Sequence, residues 1–141
     1  MTLPNQRGLS HLSWLGVLLA GGLHIAFFRG QPLDGPMLAA LVLAFVVAAI
    51  ALATMILALQ RHAGDPAWGF FQVVPGWGRL LLGVGFFVVA ANVVDWMPIA
   101  GPSRAGALGP GAFERAFAAI VAWQTLAAAL YHTFHPREEA P

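Results

Sequence analysis

Five histidines, His11, His24, His62, His132 and His135, are the side chains here best suited to proton or ligand chemistry near neutral pH. Counted in helical turns, they divide into two sets. His24 falls toward the end of a first apolar stretch, and Asn92 and Asp95 fall at a matching depth toward the end of a third. A histidine beside an amide and an acid can hydrogen-bond a quinone head group or relay protons. Arg29, Glu114 and Arg115 fall at the same end and would complete a polar pocket. The structural alternative is a network in which Asp95 pairs with Arg29 or Arg115 and His24 donates to a backbone carbonyl.

The second set lies at the opposite end. His11 opens the first stretch, His62 follows the second, and His132 and His135 end the fourth. Two imidazoles at one depth on different helices can ligate a haem b iron axially, and His11 with His132 is the best-matched pair. The plainer reading is that histidines near a membrane surface need no special role. No carboxylate in the last helix completes a metal set around His132 and His135, so no metal site is expected. The sequence lacks Cys, which removes disulfides, thiolate sites and Cys nucleophiles. Ser10, Ser13 and Ser103 lack a nucleophile-elbow context, and no Gly-rich phosphate loop or paired catalytic carboxylates are present. No catalytic residue is expected.

The elements that position these groups follow from composition. Of 141 residues, 59% are hydrophobic and 9% charged, and the mean hydropathy is +0.74. A soluble domain of this size could not bury that much apolar surface, and a disordered chain would be polar. Seven Arg, no Lys and six acids give a net charge of +1. That balance supplies no basic stripe for nucleic acid. Abundant Ala and Gly, with Arg in place of Lys, suggest a bacterial genome rich in G and C.

A bilayer core of about 30 Å needs about 20 apolar residues of helix. Residues 9–28, 37–59, 79–97 and 112–134 meet that need. The expected fold is therefore an all-α integral membrane protein, a single domain over 1–141 with four transmembrane helices in an antiparallel bundle. The first stretch is long for a signal peptide and lacks a small-x-small cleavage site, so it reads as a retained helix. Four spans place both termini on one side. The near-even Arg split only slightly favours a cytoplasmic side. Residues 30–36 predict a tight Gly/Pro turn, and 101–111 a flexible Gly/Pro-rich link. Between the second and third spans, Trp68, Phe70, Phe71 and Trp77 predict an aromatic segment lying in the membrane interface, the alternative being a loop packed on a partner subunit.

Each span carries small or polar residues on one face, the pattern by which membrane helices pack closely. In order these are Ser13, Gly16, Ala20 and His24; Ala40, Ala44, Ala48, Ala51 and Ala58; Gly85, Asn92 and Asp95; and Ala118, Ala122, Thr125, Ala129 and His132. The layout resembles that of small four-helix accessory subunits of bacterial respiratory oxidases. GRLLLGVGFF, residues 78–87, resembles strings found in DoxX-like small membrane proteins. Neither resemblance transfers a functional residue.

The leading expectation is a non-catalytic accessory subunit of a larger membrane complex, for instance in respiratory or photosynthetic electron transfer. It would sit in a bacterial inner membrane, partnered by lipid and by other membrane subunits or copies of itself. One alternative is a redox protein binding haem b through His11 and His132, or quinone through His24, Asn92 and Asp95. The other is a small-solute or ion transporter acting as an oligomer, because no span carries a polar path at its centre.

Overall fold

The computed structural model describes residues 6–62, 64–97 and 111–135. The Gly/Pro-rich link expected at 101–111 falls almost wholly outside the described residues, as does the charged tail beyond 135. Five helices make up the fold: α1 (Gln6–Phe28), α2 (Gly35–His62), α3 (Pro66–Val73), α4 (Gly76–Trp96) and α5 (Ala112–Phe134). All but α3 are long and apolar enough to cross a membrane. These four coincide with the spans expected from hydropathy, with α1, α2 and α4 starting two or three residues earlier.

The helix ends have local causes. Gly30 adopts φ 84°, a left-handed conformation open to glycine at little cost. There the Gly30 amide donates to the Phe27 carbonyl and the Gln31 amide to that of Ala26, a Schellman closure of α1. Asp34 begins α2, its carboxylate accepting from the Met37 amide at 2.9 Å. The aromatic segment between the second and third spans turns out to contain a helix. Asp65 caps α3 by accepting from the amides of Ala67 and Trp68, and Pro66 occupies the first turn. Pro75 stops α3 because it forces Val74 into an extended conformation, and it also precedes the first turn of α4.

Helix α5 is the centre of the molecule. It packs on α1, α2, α3 and α4, while α2 also packs on α1 and α3. Its buried face includes Ala118, Thr125, Ala128, Ala129 and His132. The opposing faces use the expected small residues: Ser13, Gly16 and Ala20 of α1, and Ala44, Ala48 and Ala51 of α2, are all buried. Lipid tails are as apolar as leucine, so in a bilayer such helices gain by close van der Waals contact rather than by hiding apolar surface. The Ser13 and Thr125 hydroxyls donate back to the carbonyls of Leu9 and Val121, both at 2.6 Å. They can therefore lie in the seam without needing a partner on another helix. Large apolar side chains such as Leu18, Phe28, Leu80 and Phe87 point outward.

Gly16 lies where three helices meet closely. A Cβ there would lie 2.7 Å from both Val47 Cγ1 on α2 and Thr125 Cγ2 on α5. Both neighbours are β-branched and have little rotamer freedom in a helix, so neither can swing aside cheaply. Gly16→Ala is expected to cost about 1–3 kcal/mol by overpacking, read as a lower unfolding midpoint in detergent micelles. Gly22→Ala, where nothing lies within 4 Å, should leave stability unchanged or raise it by up to ~1 kcal/mol through helix propensity.

Candidate functional site

Polar side chains in this fold gather at three places, each involving α1 or α5. The first joins α1 to α4. His24 Nε2 lies 3.2 Å from Asn92 Oδ1, and both residues are half-buried. Asn92 donates through Nδ2 to the Val88 carbonyl one turn earlier at 2.8 Å, which leaves Oδ1 facing the ring. An amide oxygen only accepts, so this arrangement assigns the proton to His24 Nε2. Two of the three residues expected to bind a quinone or proton are thus in contact. Asp95, the third, is exposed and has no hydrogen-bond or ion-pair partner among the described residues. The same holds for the side chains of Arg29 and Arg115, so the alternative ion pairs with Asp95 do not form among the described residues.

The second place is the buried imidazole of His132, which turns toward α2. Its Nε2 lies 3.0 Å from the Ala51 carbonyl and 3.1 Å from Thr54 Oγ1. Thr54 directs its own hydroxyl proton at the carbonyls of Ile50 and Ala51. A carbonyl can only accept, so the Nε2 proton of His132 is donated to Ala51. That use occupies the nitrogen that an axial haem ligand would offer. His11, the other member of the expected haem pair, is exposed on α1. Among the described residues no group of three or more His, Cys, Asp or Glu could hold a metal.

The third place, centred on Thr133, has no counterpart among the expected sites. The Thr133 hydroxyl donates to the Ala129 carbonyl at 2.7 Å. Its oxygen in turn accepts from Trp14 Nε1 and from the Ser10 hydroxyl, each at 2.9 Å. Trp123 similarly donates Nε1 to the Leu82 carbonyl at 2.8 Å and covers Gly85, tying α5 to α4. At the other end of α5 a run of rings connects three helices: Trp96 meets Phe113 at 5.6 Å, Phe113 meets Phe117 at 6.0 Å, and Phe117 meets Phe45 at 5.9 Å. Within this run only Phe113 and Phe117 follow the i,i+4 spacing of one helix; the other two pairings join different segments, which no spacing rule within a helix shows. The indole donors could have been flagged, since a buried Trp N–H usually finds an acceptor.

Chemically, these groups tie helices together. In the described side chains no buried nitrogen or oxygen lacks a partner, the condition expected where water is excluded. A double-mutant cycle on His24→Ala and Asn92→Ala should give a coupling of about 0.6 kcal/mol, with about 1.7 kcal/mol as the ceiling for membrane hydrogen bonds. Refolding equilibria in mixed micelles would measure it, and zero coupling would mean the pair contributes no stability. No protein-family model, no curated protein and no solved structure matches the chain, so its function rests on the side chains placed above.

Proposed function

We propose that the chain is a non-catalytic accessory subunit of a larger complex in a bacterial inner membrane. In this reading the four long helices form an antiparallel bundle with both termini on one side, the cytoplasmic one, and α3 lies along the membrane interface. The Trp68 ring on α3 and the Trp77 ring that opens α4, both more than half exposed, suit that position.

The observation that carries the proposal is the uncovered surface of α4. Only 11% of its spanning window is buried, against 28% for each of α1 and α2 and 50% for α5. The uncovered side is not uniformly lipid-like. Leu80, Val84, Val88, Ala91 and Asp95 succeed one another at steps of three and four residues and are all exposed. Such a stripe ends in a small residue and an ionisable one. Small residues allow a second backbone to come close, and an acid within a span is costly unless something polar meets it. A neighbouring subunit helix would satisfy both.

Purification of the tagged protein from its native membrane in mild detergent should yield stoichiometric partners. Photocrosslinkers at Val84 and Val88 should capture one of them, and a crosslinker at Leu18 on α1 should not. A partner-free protein, or equal capture from all three positions, would refute the accessory role.

A further inference from the structure

A second face of α4 borders a groove of about 710 Å³, shared with α2, α3 and α5. That volume falls within the range of about 300–1,000 Å³ usual for small-molecule sites. Its walls are apolar but its ends differ. Along α4 the lining runs from Arg79 past Gly83 to Phe87, and Leu59 and Leu52 of α2 also line it. At 1.5 Å per residue the α4 wall is about 12 Å long, close to the roughly 15 Å depth of one bilayer leaflet. The lining contains one charged side chain, Arg79, one amide, Gln124, and no carboxylate. Arg79 stands in the first turns of α4, exposed, and its guanidinium has no hydrogen-bond or ion-pair partner among the described residues.

We propose that this groove holds one acyl chain of an anionic phospholipid, whose phosphate is bound by Arg79. Charge complementarity selects this occupant. A guanidinium presents paired N–H donors that match two phosphate oxygens, and it gains most where water is scarce. An uncharged hydrocarbon, or an apolar helix of another subunit, would fill the groove and leave Arg79 without a counter-ion. Free phosphate would neutralise Arg79 and leave the apolar walls uncovered. A phospholipid does both, with its head at the charged end and its chain beside Gly83 and Phe87.

Gly83 makes the groove testable. A Cβ there would meet nothing within 4 Å, so a side chain can be attached there without moving the helices, and a large one would occupy the groove. Native mass spectrometry of the detergent-purified protein, titrated with phosphatidylglycerol or with phosphatidylcholine of the same chains, reads occupancy directly. The protein should retain one phosphatidylglycerol and hold phosphatidylcholine about tenfold less well, and Arg79→Gln should weaken phosphatidylglycerol by about tenfold, as for loss of a charge-assisted contact. Gly83→Phe should abolish retention while eluting like the parent protein; if that variant fails to fold, Arg79→Gln decides. Equal retention by Arg79→Gln, or by a folded Gly83→Phe, would overturn the proposal. Displacement of the lipid by millimolar inorganic phosphate would also overturn it, by making a free anion the ligand. So would a crosslink from position 83 to protein rather than lipid.

Discussion

Water drives soluble folds together by excluding apolar surface, and a bilayer removes that force between helices. What remains is contact distance, and the architecture depends on how closely other helices can approach α5. Its buried face is mostly alanine. Gly16 on α1 removes the last methyl from the point where α1, α2 and α5 meet, and Gly85 on α4 makes room for the Trp123 ring. Short side chains bring backbones close enough for dispersion to add up over many atoms. The same closeness explains the hydrogen bonds. His132 can reach a backbone carbonyl on α2, and Trp123 one on α4, only because the helices between which they pass are nearly touching.

Satisfying every buried polar atom among the described side chains shapes what the polar residues can do. His132 and Thr133 sit side by side on α5 and serve opposite neighbours, α2 and α1. His24 and Asn92 join α1 to α4 across a gap that α5 otherwise fills. No fully buried side-chain nitrogen or oxygen among the described residues is left without a partner. The exposed groups are different. Asp95 and Arg79 stand on separate sides of α4, each without a hydrogen-bond or ion-pair partner among the described residues.

Much of this was legible from residue types and spacing. Hydropathy located the four long helices because a bilayer imposes a length on each. It missed the first turns of α2 and α4, which are set by Asp34 and Pro75 rather than by apolar residues. Residues 66–73 make too short a helix to show periodicity, although Asp65 followed by Pro66 is a start signal that could have been read. Small-residue faces identified Ala44, Ala48, Ala51 and Thr125 as buried. They did not single out α5 as the centre, because all four spans carry such a face. Depth counting brought His24 to Asn92 but could not show that Asp95 turns away, since depth fixes height and leaves rotation about the helix axis free. The acceptor for His132 is a backbone carbonyl, a group that every residue has, so no sequence pattern marks it.

The central position of α5 bears on how the protein is made. Ribosomes deliver the chain from its N-terminal end, so α1, α2 and α4 enter the membrane before the helix they all pack against exists. During that interval α1 and α2 can pack on each other, but the helix that joins both to α4 is missing. The most apolar of them, α2, has a mean hydropathy of 2.9 over its best window, whereas α5 reaches just 1.2. The late helix is thus the one with the least intrinsic reason to leave the insertion channel for lipid. The small-residue faces of α1 and α2 against which it packs would favour its transfer, which would couple membrane entry to tertiary assembly for α5.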